Sequence, residues 1–274
     1  MRERSSLPVP SERAPSPDEV AAALRAAGCV FAEDEAELVL ATARTPGEVA
    51  GMVARRARGH PLEHVLGWAG FGGVRIALDP GVFVPRRRTE FLVERAAALA
   101  GPEPVALDLC CGSGALGAAL AHALGGGVAL HAADVDPAAV ACARRNLAPL
   151  GGQVYAGDLY APLPAGLRGR VDVLLANVPY VPTDEIPLLP AEARVHEARV
   201  ALDGGADGLD VLRRVAAGAP EWLVPGGALL FETSERQVEG ALAVVGAAGL
   251  RGEAVADEER YATVVVARLP GGRA

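Results

Sequence analysis

Four consecutive residues, Asn177-Val178-Pro179-Tyr180, follow the apolar run Val171-Asp172-Val173-Leu174-Leu175-Ala176 and carry the types needed to handle a planar nitrogen. An amide or aromatic amine nitrogen is a poor nucleophile because its lone pair is delocalised into the neighbouring π-system. A side-chain oxygen and a backbone carbonyl that accept its two N–H hydrogens draw it toward tetrahedral geometry and aim the lone pair at an electrophile, combining orientation with electrostatic stabilisation. Asn177 and the Val178 carbonyl are the candidate acceptors. Pro179 biases Val178 toward extended backbone and so fixes that carbonyl's direction, and Tyr180 can stack on the planar group. Alone, Asn and Pro after a strand also read as an ordinary turn.

The elements upstream supply a place for the electrophile. Val105-Ala106-Leu107-Asp108-Leu109 runs into Cys110-Cys111-Gly112-Ser113-Gly114 and then into Ala115-Leu116-Gly117-Ala118-Ala119-Leu120, which is strand, glycine turn and helix in order. Gly112 and Gly114 permit positive φ and close backbone approach, and the helix start offers unpaired N–H groups to a nucleotide-like ligand. Asp134, twenty positions beyond Gly114 (134 − 114), ends the next strand candidate, where an acid accepts both hydroxyls of a ribose. A dinucleotide would use that acid too. Asp108 at the end of its strand suits a cationic sulfonium, which favours S-adenosylmethionine, with S-adenosylhomocysteine as product, over a nicotinamide cofactor. A third strand delivers Asp158 for the adenine amino group and Leu159 to pack on the ring. Strand ends line the ligand crevice of a parallel sheet, so Asn177 faces the cofactor as well. Asp136-Pro137 reads as a helix cap rather than a ligand. The adjacent Cys110 and Cys111 read as loop residues rather than a redox pair. Five scattered histidines form no metal or Ser-His-Asp constellation.

These sites need a scaffold, and 274 residues with 51% hydrophobic content supply one large α/β domain with a small companion. The net charge of −8 leaves no basic stripe for sustained binding of nucleic acid, despite arginine clusters at Arg55-Arg56-Ala57-Arg58 and Arg86-Arg87-Arg88. All 26 basic residues are arginine, a mark of a GC-rich genome rather than of chemistry. The four cysteines have no zinc spacing, no apolar leader opens the chain, and no apolar run approaches the ~20 residues of a membrane span, so a cytoplasmic monomer is expected.

Residues 1–66 read as a helical domain whose first 15 residues are flexible. Ser16-Pro17-Asp18-Glu19 writes a helix start, and further helices are expected over Asp34–Ala43 and Val49–Arg58. Residues 67–104 read as a β-hairpin linker with a connecting helix, built from Trp68–Phe71, Val74–Leu78 and Val82–Pro85. In 105–270, strands at Val105–Leu109, Val128–Ala132, Gln153–Ala156, Val171–Ala176, Ala228–Phe231 and Thr263–Ala267 alternate with helical stretches, the pattern of a mostly parallel sheet covered on both faces. Gly151-Gly152-Gln153 reads as a turn entering a strand.

At this point the chain resembles the protein N5-glutamine methyltransferases that modify the Gly-Gly-Gln loop of peptide-chain release factors. The ordered set carries the resemblance: Arg58–Gly67, the Pro-Arg-x-x-Thr-Glu element at Pro85 to Glu90, Leu107–Gly114, Asp134, Asp158, Asn177–Tyr180, Leu202–Leu209 and Pro225-Gly226-Gly227. It implies a Rossmann-like class I methyltransferase domain with a seven-stranded sheet, and a helical domain that docks the protein substrate. It also brings Pro85, Arg86 and Thr89 to the cofactor and implies methyl transfer to a glutamine nitrogen. Three departures stand out: valine at 178 where the family has proline, Cys110 where its loop has glycine, and Glu232-Thr233-Ser234 in place of Glu-x-Gly, with Gln237 kept. The competing readings are a nitrogen methyltransferase of the same fold acting on another protein, a small molecule or DNA, and a cofactor-binding protein that has lost catalysis.

Overall fold

The computed structural model describes residues 13–271 and divides into two compact units that meet in sequence at Leu66 and Gly67. Of the arm read over residues 1–15, the first twelve lie outside the described residues, and Arg13 pairs with Glu19.

The first unit is helical: α1 (Pro17–Ala26), α2 (Ala32–Thr42), α3 (Pro46–Ala57) and α4 (Leu62–Leu66). Its starts are written in the sequence. Ser16 and Glu19 exchange hydrogen bonds in a capping box ahead of α1, and Thr45 accepts from the Glu48 N–H with Pro46 in the first turn of α3. Val20, Leu24, Ala36, Val39 and Val65 form the buried interior. A two-pronged ion pair between Arg56 and buried Glu35, at 2.6 and 2.9 Å, ties α3 to α2. The sequence does not announce α4, because five residues are too few to show a helical period.

In the second unit, β1 (Trp68–Phe71) and β2 (Val74–Ala77) form an antiparallel hairpin. Its turn residues Gly72 and Gly73 have φ +55° and +79°, the two positive angles a tight hairpin turn requires. Val82–Pro85 joins no strand, since the Val84 N–H donates to the Glu197 carboxylate at 3.3 Å and Pro85 has no N–H to offer. After α5 (Glu90–Leu99) come β3 (Val105–Leu109), α6 (Ala115–Ala123), β4 (Ala129–Asp134), α7 (Pro137–Leu147), β5 (Gln153–Ala156) and β6 (Val171–Ala176). The chain continues through α8 (Ala191–His196), α9 (Asp210–Trp222), β7 (Leu223–Glu232), α10 (Val238–Ala247), β8 (Arg251–Asp257) and β9 (Ala262–Arg268).

The sheet order is β5-β4-β3-β6-β7-β9-β8, parallel except for β9, which runs antiparallel to both neighbours. Alternate residues feed two cores: Ala106, Val173, Leu175 and Leu230 point to one face with α5 and α6, and Leu107, Leu109, Leu174, Leu229 and Phe231 to the other with α9 and α10. The central strands are buried on both faces and therefore read as near-continuous apolar runs. β8 was missing from the strand candidates because it is an edge strand of exposed and partly exposed residues with no apolar side to betray it. Strand order departs in opposite directions from β3 and β6, so a crevice opens between their carboxyl ends, where the loops after Leu109 and Ala176 begin.

Candidate active site

The loop after β3 turns on three left-handed residues, Cys110 at φ +54°, Gly112 at +54° and Gly114 at +77°. The two glycines serve different ends. A Cβ on Gly112 would meet open space, whereas one on Gly114 would press within 3.0 Å of Leu147 on α7. Asp134 holds the loop from the next strand: its Oδ2 accepts the Gly112 N–H at 2.8 Å and its Oδ1 the Asp136 N–H at 2.9 Å. Asp136 accepts from the Ala138 N–H as the cap of α7, the role read from the sequence. Asn146 ties the loop to the hairpin, since its Oδ1 accepts the Ala77 N–H at 2.9 Å and its Nδ2 donates to the carbonyls of Ala77 and Ser113 at 2.9 and 2.8 Å.

A cleft opens over this loop, walled by residues from the ends of several strands and the loops that follow them. Of the residues singled out in the sequence, Pro85, Thr89, Cys110, Cys111, Gly112, Ser113, Asp134, Asp158, Leu159, Asn177 and Pro179 line it. Asp108 does not. It is 1% exposed, its Oδ2 accepts the Gly117 N–H of α6 at 3.1 Å, and its Oδ1 is buried without a hydrogen-bond partner among the described residues. Burial above all, with the charge of Asp134, pushes the Asp108 carboxyl up to about 7, against the pull of the Gly117 N–H. Burial likewise raises Asp134. Asp158 is held by an ion pair with Arg214 of α9, which also lines the cleft.

A second cleft adjoins the first and shares Phe83, Asn177, Pro179 and Ala201 with it. Val178 and Tyr180 line this one and not the first, and so does Arg86, which turns to Glu197 at 2.5 Å instead of facing the first cleft. Among the described residues neither the Asn177 side chain nor the Val178 carbonyl makes a hydrogen bond; Asn177 stands at the border between the clefts, and Val178, 2% exposed, lies in the second. The Tyr180 hydroxyl is committed: it donates to Glu232 Oε1 at 2.9 Å and accepts from Arg88 Nη2 at 2.6 Å. Burial, with the charge of Glu232, pushes its phenol well above the ordinary tyrosine range. Glu232 also accepts from Arg88 Nε at 2.9 Å and, through Oε2, from Thr89 Oγ1 at 2.6 Å.

Behind this wall, Gln237 donates to the carbonyls of Tyr180 and Asp207 at 2.9 and 3.0 Å. The glycines of Asp203 to Gly208 let that loop press on the segment, because a Cβ on Gly208 would lie 2.3 Å from the Tyr180 carbonyl oxygen. Arg88, Glu197, Arg214 and Asn146 carry roles that no motif in the sequence assigns them. Arg88 falls on an unspecified position of the Pro-Arg-x-x-Thr-Glu element, and its partner Glu232 is 144 residues away, beyond any spacing rule.

Comparison with known proteins agrees with this arrangement. The methyltransferase small domain family model matches residues 73–207. Release factor glutamine methyltransferase of Geobacter sulfurreducens is 40% identical over 205 residues, spanning 73% of this chain and 69% of its own length. Its namesake in Cereibacter sphaeroides is 39% identical over 228 residues, spanning 81% and 78%. A methyltransferase from Pyrococcus furiosus shares the fold with TM-score 0.55 at 18% identity, over 73% of this chain and 90% of that one. With relatives this similar over this much of its length, the chain belongs to the release factor glutamine methyltransferase family.

Proposed function

We propose that this chain transfers a methyl group from S-adenosylmethionine to the side-chain nitrogen of a glutamine in a protein, the Gly-Gly-Gln glutamine of a peptide-chain release factor. The observation that carries the reading is a pair of acceptors without a hydrogen bond among the described residues, Asn177 Oδ1 where two adjoining clefts meet and the Val178 carbonyl next to it in the second. They accept the two N–H hydrogens of the amide, and Pro179 keeps Val178 extended so that its carbonyl holds direction. Replacing the family's proline by valine leaves this acceptor in place, because it belongs to the backbone.

The first cleft fits the cofactor. Gly112 leaves open space above the loop, and both Asp134 oxygens keep a lone pair beyond their backbone bonds for ribose hydroxyls. Asp158 serves the adenine edge and Leu159 packs on the ring, while Pro85 and Thr89 close the side wall. When bound, the cofactor supplies an electrophilic methyl. Tyr180 serves as a rigid stacking wall, since its hydroxyl is used up by Glu232 and Arg88. The helical unit of residues 1–66 is assigned to docking of the protein substrate.

The test is incubation with S-adenosylmethionine and a release factor, with the methylated site mapped by mass spectrometry. The expected product is one methyl on the Gly-Gly-Gln glutamine, absent with Asn177→Ala. An unmodified glutamine beside an enzyme that binds S-adenosylhomocysteine overturns the proposal.

A further inference from the structure

Arg88 has donors to spare. Its Nε and Nη2 are taken by Glu232 and Tyr180, but its Nη1 makes no hydrogen bond among the described residues, and the side chain is 46% exposed in the wall of the second cleft. A guanidinium is planar, so gripping it at two nitrogens fixes the plane and direction of the third. The grip itself is firm, because Glu232 is 3% exposed and is further held by Thr89 and Tyr180.

The charge balance says what such a donor would take. Arg88 is neutralised by Glu232, and its neighbour Arg86 by Glu197, so the cleft offers N–H groups without an excess positive charge. That suits a neutral carbonyl oxygen better than a phosphate or carboxylate, which would meet the buried acids behind the arginines. Position narrows it further. Asn177 and the Val178 carbonyl are acceptors for N–H groups, and Arg88 stands at the hydroxyl end of Tyr180, a ring length beyond the face on which an amide would stack. It therefore reaches a residue beside the methylated one.

We propose that Arg88 is a substrate-binding residue that donates from Nη1 to a main-chain carbonyl of the protein substrate next to the methylated amide, with Glu232 as the positioning residue that aims it. This rests on the glutamine reading above.

The experiment compares the wild-type chain with Arg88→Lys, Arg88→Met and the double variant Arg88→Met/Glu232→Gln. It measures steady-state methylation of a release factor together with calorimetric binding of S-adenosylhomocysteine. The lysine retains a charge for Glu232 but cannot also present a fixed outward donor, and the double variant removes the buried carboxylate that Arg88→Met alone would strand. In each, KM for the release factor is expected to rise about tenfold, the size of one hydrogen bond from a charged donor, with S-adenosylhomocysteine affinity within twofold of wild type. Arg88→Lys is expected to keep the wild-type melting temperature without recovering KM, which a merely structural role would not do. An unchanged KM in Arg88→Lys and in the double variant overturns the Arg88 assignment alone. A wild type that binds S-adenosylhomocysteine but methylates no glutamine overturns the glutamine reading and this assignment with it.

Discussion

The two clefts meet at Asn177 but are made in opposite ways. The first is centred on backbone, a loop of five residues between one strand and one helix, held by a carboxylate that accepts N–H groups from Gly112 and Asp136, with side chains such as Pro85, Thr89, Leu159 and Arg214 completing the walls. The second is made of long side chains from distant segments, with Arg88, Tyr180 and Glu232 locked together and Arg86 anchored on Glu197. Backbone sites tolerate little change in chain path and give a fixed shape to an invariant ligand. Side-chain walls can be rebuilt one residue at a time, which is where a change of acceptor would be accommodated.

The largest effect is expected at the border: Asn177→Ala should lower kcat by about a thousandfold, as for loss of a group that acts on the reacting centre, while S-adenosylhomocysteine still binds in a calorimetric titration. A proportional loss of binding would instead make Asn177 part of the first cleft only.

Next comes Asp108. Its folded-state carboxyl stands near 7, above the ordinary 3.8, so the protonated form is the stable one inside and the contribution to stability is lost as pH rises through 7. Between pH 5 and pH 8 that loss is about 3 kcal/mol. Urea unfolding of Asp108→Asn should therefore show a weaker fall in stability over this range than wild type, and parallel pH profiles would refute the buried acid.

Asp134→Ala is expected to weaken S-adenosylhomocysteine about tenfold or more by removing the ribose acceptor and loosening Gly112. Unchanged affinity would displace Asp134 from the cofactor. The smallest effect is reserved for Gln237→Ala, which frees the Tyr180 carbonyl: a severalfold fall in kcat with cofactor affinity preserved, and a fall in affinity instead would erase the division between the clefts.

This division also explains what could be read in advance. The cofactor loop was legible because strand, Gly-x-Gly and helix are contiguous, and the ribose acid follows at a spacing set by one βαβ unit. Asn177 to Tyr180 was legible because it follows an unmistakable buried strand. Arg86 was carried to the cofactor on its place beside Pro85, but its side chain turns to a glutamate 111 residues later. Asp108 was given to the cofactor as a strand-ending acid, yet alternation along β3 sends its side chain beneath the loop, where it binds Gly117. No local pattern encodes the direction of a long side chain or the identity of a distant partner, and β8 shows the same limit for an edge strand whose partners lie on one side only.

The bonds around the Tyr180 hydroxyl make that ring a spectroscopic reporter. A phenol that donates to a buried carboxylate gains a second negative charge beside the first if it ionises, so its phenolate absorbance is withheld until the surrounding structure lets go. In an alkaline titration followed by ultraviolet absorbance, the part of the signal lost in Tyr180→Phe should emerge together with unfolding rather than before it.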